Sequence, residues 1–235
     1  MHELPANHQP VSLLGSEQQI EQSSQFLISK GYQVRESFVA DPNFWHDAQQ
    51  QNIVESGCHS VALWQANPLL IEVIELVEQH CSGRKALDIA CGAGRDSVYL
   101  AKRGWDVTAL DHKADALSRA TQLAERSQTN LSTLLCDLEN QPEPLQGIST
   151  DLVLIMRYLH RPLFPAIDKV INKNGLLVYS TFMIGSEKFG SPKNPAYLLA
   201  PGELAEQFSN YEILVDDSRE LADGRPVALF VARKF

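Results

Sequence analysis

The sequence predicts an α/β fold: a doubly wound, mostly parallel sheet with an antiparallel edge hairpin, preceded by a small N-terminal appendage. Three observations predict it. From residue 84 onward the apolar runs "KALDIAC", "DVTAL", "LSTLLC", "DLVLIM" and "GLLVYSTFM" alternate with segments of helical spacing. Continuous apolar strands separated by helices mean a parallel sheet covered on both faces. The last two runs, "YEILV" and "VALFVA", follow each other with no clear helix between them, which makes them a hairpin. The length of 235 residues, 44% of them hydrophobic, suits one substantial domain with an appendage.

The elements follow in order. Ser16 caps a helix that ends at Lys30, with Gly31 as its stop. Tyr32, Val34 and Phe38 read as a short strand, and residues 40–60 as a polar connector. Leu69, Leu70, Val73, Leu76 and Val77 repeat at helical spacing. After the first sheet strand, Arg95 to Arg103 reads as a helix closed by Gly104, and Ala114, Leu117, Ala120, Leu123 and Ala124 mark the next helix face. Leu163, Phe164, Ile167, Val170 and Ile171 mark another, before a strand that starts through Asn174-Gly175. A short helix near Gly202–Phe208 precedes the closing hairpin. The expected domains are 1–60, appendage and connector, and 61–235, the sheet domain.

Charge and composition exclude several classes. The net charge is −9 with no run of Lys or Arg, so a nucleic-acid partner is not expected. The N-terminus lacks a basic start followed by an apolar run. No apolar stretch approaches the ~20 residues that span a bilayer. The four cysteines form no CxxC pair, which points to a reducing compartment. The expectation is a cytoplasmic protein, monomer or homodimer, with a small-molecule substrate. Cys58-His59 and His80-Cys81 are adjacent pairs, poorly spaced for zinc, and no metal is expected.

The stretch "LDIACGAGRDS" (87–97) carries the chemistry. Doubly wound sheets bind ligands at the carboxyl ends of their strands, near the switch point. Gly92 and Gly94 let the backbone bend there and approach a ligand, and Asp111, ending the second strand, stands where a carboxylate meets ribose hydroxyls. A dinucleotide needs a third glycine, and here that position is Ser97. Asp88 and Asp96 would also repel a pyrophosphate. They suit a ligand with an ammonium and a sulfonium and no phosphate, namely S-adenosylmethionine.

At these residues the sequence resembles class I S-adenosylmethionine-dependent methyltransferases, which are Rossmann-like. "GRDSVYLA" is similar to the small-molecule branch that includes tellurite-resistance methyltransferases. The resemblance covers roughly residues 66–235. It implies that Asp88, Gly92 and Gly94 line the methionine part of the cofactor, with Ala90 also binding the cofactor and Arg95 fixing the turn or the cofactor carboxylate. It implies Asp111 at the ribose with His112 beside it, and Cys136, Asp137 and Leu138 at the adenine. "EQSSQFLISKGYQVRESFV" resembles the closing helix and strand of a rhodanese domain. No cysteine precedes Cys58, so sulfur transfer is not implied.

"RYLHRP" (157–162) lies where the fourth strand ends. Methyl transfer is an in-line displacement that needs alignment, exclusion of water and sometimes a base. Arg157, Tyr158 and His160 are the catalytic candidates: the arginine to orient an anionic or polar acceptor, the other two to take a proton. His160 reads equally as a residue bonded to backbone, and Arg161 as an anion clamp or a partner of Asp168. The long stretch after strand five, with Phe182, Met183, Phe189 and Tyr197, is expected to line the acceptor cavity, and "LWQANPLL" (63–70) to close over the cofactor. A mouth plugged by the 183–201 loop or by the front segment would instead mark a non-catalytic cofactor-binding module. A basic rim would mark an RNA methyltransferase.

Overall fold

The computed structural model describes residues 10–54, 64–140, 143 and 145–235. They fall into two compact units, Met1–Trp64 and Gln65–Phe235.

The first unit is a strand–helix–strand with one more helix. β1 (Val11–Gly15) and β2 (Val34–Val39) pair in parallel, joined by α1 (Glu17–Ser29). Ser16 caps α1 in a reciprocal box with Gln19, each side chain bonding the other's backbone N–H. Two expectations are corrected here. Residues 40–60 are not all connector, because α2 (Pro42–Gln50) lies within them, started by Asp41, whose carboxylate accepts from Phe44 N–H at 2.7 Å. Its only buried residue is Ala48, so no apolar stripe announces it. β1 was not expected either. The pair Cys58-His59 lies outside the described residues.

The second unit holds a seven-stranded sheet. α3 (Pro68–His80) precedes β3 (Lys85–Ile89), α4 (Arg95–Lys102), β4 (Asp106–Asp111), α5 (Ala114–Arg126) and β5 (Ser132–Leu135). β6 (Thr150–Met156) leads through a 3-10 turn at Arg161–Leu163 into α6 (Phe164–Val170) and β7 (Ile171–Ser180). α7 (Glu203–Gln207) is followed by β8 (Tyr211–Glu220) and β9 (Pro226–Lys234). The sheet order is β5-β4-β3-β6-β7-β9-β8, with the first five strands parallel and β9 antiparallel to both of its neighbours. The chain leaves β3 in one direction and returns to its other side with β6, so the switch point lies between those two strands. β7 starts at Ile171, read from sequence as the end of a helix, and its register with β6 slips across Asn174, whose φ is +61°.

Alternate strand residues build two cores. Leu87, Ile89, Val153, Ile155 and Tyr179 face α6 and Phe208. Ala86, Leu152, Leu154 and Val178 face Leu70, Val73, Ile74 and Val77 of α3. These strands are buried on both sides, as their unbroken apolar runs require. Among the described residues no helix is long and apolar enough to cross a membrane.

Candidate functional site

The glycine turn is built by the end of β3. Ala90 leaves the sheet at φ +58°, and Gly92 and Gly94 follow at +56° and +74°. Cys91 N–H donates to Leu110 O at 2.9 Å, tying the turn to β4. Gly94 begins α4, and a Cβ there would stand 2.5 Å from that of Ala120. Glycine at 94 therefore serves both the left-handed backbone and the contact between α4 and α5.

Asp111 is the bolt of this turn. One carboxylate oxygen accepts from Gly92 N–H at 2.9 Å and the other from Lys113 N–H at 2.9 Å. Its residue is 7% exposed. A carboxylate has about four lone-pair sites, so two bonds leave capacity for ligand hydroxyls.

A cavity of about 310 Å³ opens at the carboxyl ends of β3, β4 and β5. Ala90, Asp111, His112, Cys136, Asp137 and Leu138, all sequence candidates, line it together with Tyr158 and Glu139. No lysine or arginine is among its lining residues. Such walls suit a ligand without phosphate. Asp137 also caps its own loop, accepting from Glu139 N–H, Asn140 N–H and the Asn140 amide.

Asp88 and Asp96 lie beneath the turn. Asp88 is 2% exposed and accepts from Ser97 Oγ at 2.5 Å. Burial, then the neighbouring Asp96 charge, raises its pKa to about 8. Asp96 accepts from Asn67 N–H at 2.6 Å. Burial raises its pKa as well, against the pull of that N–H and of Arg95 and Arg157. Arg95 donates to Gln65 O at 3.3 Å. The chain at 65–67 is thus strapped to the start of α4 by two bonds, and Arg95 is engaged in that strap. Ser97 and Asn67 were missed from sequence, where one stood only for an absent glycine and the other for a helix start.

The reacting end divides the sequence candidates. Arg157 leaves β6 at φ +61° with its N–H on Ser180 O at 2.7 Å. No sequence signal announces this left-handed residue. Arg157 and Tyr158 line a second cavity of about 330 Å³ with Leu159, Thr181, Phe182, Ser191, Pro192 and Tyr197. Tyr158 lines both cavities. Its hydroxyl donates to Glu139 at 3.4 Å, and burial and that carboxylate raise its pKa. Tyr158 is therefore a neutral donor near pH 7 and a poor base. His160 lines a third cavity, of about 600 Å³, beside Leu163 and Lys169, and is not a lining residue of the other two. Arg161 is neither an anion clamp nor Asp168's partner. It pairs with Glu203 at 2.5 Å and donates to Ala196 O and Leu198 O, fastening the long loop.

Among the described residues, no group of three or more His, Cys, Asp or Glu side chains is arranged to hold a metal ion. Cys81 and Cys91 are free thiols.

Residues 86–175 match a family model described as a methyltransferase domain. An uncharacterized protein of Schizosaccharomyces pombe is 26% identical over 258 residues, covering 90% of this chain and 76% of that protein. The probable S-adenosyl-L-methionine-dependent methyltransferase TehB of Haemophilus influenzae is 29% identical over 138 residues, 55% of this chain and 46% of TehB. The chain thus spans less than half of that relative's length. Among solved structures, TehB from Haemophilus influenzae superposes with a TM-score of 0.61 at 22% identity, covering 80% of this chain and 65% of that one. Magnesium protoporphyrin IX methyltransferase from Synechocystis with bound S-adenosylhomocysteine superposes at 0.57 and 16% identity, covering 82% and 95%. At these identities the two structures speak for the fold.

Proposed function

We propose that the chain is a class I S-adenosylmethionine-dependent methyltransferase that moves the cofactor's methyl group to a small-molecule acceptor held beside Arg157, a reading supported by the matched methyltransferase domain and the likeness to TehB. The observation that carries the proposal is the pair of cavities meeting at Tyr158, one of them lined by Asp111 and the other by Arg157. An open second cavity favours an enzyme over a plugged binding module.

The residues of the first cavity fit the cofactor. Asp111 offers spare acceptors to ribose hydroxyls, Cys136 and Leu138 supply apolar surface for a base, and Asp88 and Asp96 put two carboxyl groups beneath the turn, the first of them holding its proton until a cationic ligand arrives. The cofactor supplies a methyl carbon on a positively charged sulfur. Tyr158 stands where the two cavities meet, and Arg157 orients the acceptor. Alignment of this kind is a major source of rate in displacement reactions. His160 has no part in this scheme. The setting proposed is the cytoplasm, with no nucleic acid or membrane as partner.

Calorimetry tests the cofactor half. S-adenosylhomocysteine is expected to bind and NADH to leave the protein unchanged. Binding of NADH with no response to S-adenosylhomocysteine overturns the proposal.

A further inference from the structure

We infer that the acceptor is a flat, apolar molecule bearing a carboxylate-like anion, seated between Arg157 and the aromatic side chains of the second cavity. The inference rests on the methyltransferase reading above and goes beyond it to the acceptor's chemical class.

Size comes first. The second cavity holds about 330 Å³. At ~30 Å³ per water that is room for about eleven waters. A bare inorganic oxyanion, the size of one or two waters, would leave most of it filled with solvent against apolar walls. Ligand sites of this volume are lined mainly by apolar groups with a few placed polar ones.

The lining has that character. Leu159, Phe182, Pro192 and Tyr197 form the walls, and Arg157 is the one formally charged residue among the lining residues. Two of the walls are held in advance. Arg225 lies over the Phe182 ring at 4.6 Å from its centroid and donates to Ser191 O at 2.7 Å. Asp223 in turn bonds Arg225 Nε at 2.9 Å. Tyr197 is 48% exposed on the long loop, so an occupant would cover aromatic surface now in water.

The charge is equally specific. Among the described residues Arg157 makes no ion pair: Asp96 and Asp223 act on it only through space, and its neighbours Arg95 and Arg225 are cations. Its five donors in a planar fork match a carboxylate. An uncharged aromatic would leave that fork unmatched, and a small anion would leave the rings uncovered.

The test uses the full chain saturated with S-adenosylhomocysteine and measures binding of four probes by calorimetry: 2-naphthoate, cyclohexanecarboxylate, 2-naphthalenemethanol and selenite. 2-Naphthoate is expected to bind at least tenfold tighter than each of the others. Arg157→Ala should weaken it at least tenfold while S-adenosylhomocysteine binds within twofold of wild type. Tyr197→Ala, at an exposed loop position that leaves the cores untouched, should weaken 2-naphthoate several-fold. Selenite binding as tightly as 2-naphthoate, no binding of 2-naphthoate, or equal 2-naphthoate affinity in wild type and Arg157→Ala overturns the inference and leaves the cofactor reading standing. Failure of S-adenosylhomocysteine itself to bind overturns the reading beneath it.

Discussion

Replacing Asp111 by alanine should damage both the fold and the cofactor site, in amounts the structure sets. The carboxylate accepts from Gly92 N–H and Lys113 N–H, each at 2.9 Å. A buried donor left without a partner costs about 1–3 kcal/mol, and one that regains water costs less. Gly92 is half-buried and Lys113 exposed, so the first loss dominates. The second also removes an anchor at the start of α5, which has no side-chain cap of its own. Together they give about 3 kcal/mol. For a chain of this size each kcal/mol lowers Tm by roughly 2–4 °C, so a fall on the order of 9 °C is expected by scanning calorimetry. Titration of the same variant with S-adenosylhomocysteine should show affinity lower by roughly 10- to 100-fold, as lost bonds to ribose would give at 1.4 kcal/mol per decade. A Tm within one degree of wild type would refute the bolt. A large fall in Tm with unchanged affinity would refute the ribose contact.

Three further outcomes follow from named groups. Asp88, with its pKa raised to about 8 in the folded protein, keeps its proton near pH 7, and a cationic ligand beside it should drive that proton off; S-adenosylhomocysteine, whose ammonium carries the charge, is expected to bind more tightly as pH rises from 6 to 8. Calorimetry in buffers of different ionisation enthalpy should show proton release that Asp88→Asn abolishes. The same raised pKa means that the ligand-free fold loses stability as pH rises from about 4, the unfolded value, to about 8, and none beyond. Glu78 accepts from Arg103, Trp105 and Arg84, and chiefly the Arg103 bonds hold its pKa at about 2. Its contribution is therefore present above pH 4.5 and lost as pH falls towards 2, and Glu78→Ala should lower Tm at pH 7 by roughly 2–8 °C, the equivalent of ~1–2 kcal/mol. Finally, the purified protein should transfer no sulfur from thiosulfate to cyanide, because no cysteine precedes Cys58; measurable turnover would contradict that expectation.

The sheet was legible because its strands are buried on both faces and so spell themselves as unbroken apolar runs. Asp111 was legible as a strand-ending carboxylate, and it lines one cavity with Ala90, Cys136 and Leu138. What stayed hidden depends on contacts far apart in sequence or on backbone shape. Arg161 finds Glu203 at a separation of 42 residues. His160 stands three residues from Arg157, yet the backbone between them directs the two to different cavities. Ala90 and Arg157 adopt a left-handed backbone that neither residue type signals. α2 escaped because a helix with one buried residue writes no stripe.

The position of β9 sets an order on synthesis. It leaves the ribosome after β7 and β8, yet it lies between them in the sheet. While residues 226–234 are still in the tunnel, β7 has an open edge of unpaired amides and carbonyls, and β8 has no place in the sheet at all. Unpaired strand edges are the surfaces through which nascent chains aggregate. The turn at 221–225 joins β8 and β9 closely, so the pair can form as a local hairpin and dock onto β7 in one step. A chain truncated just before residue 226 would present that edge to holdase chaperones, and one that includes residues 226–234 would not.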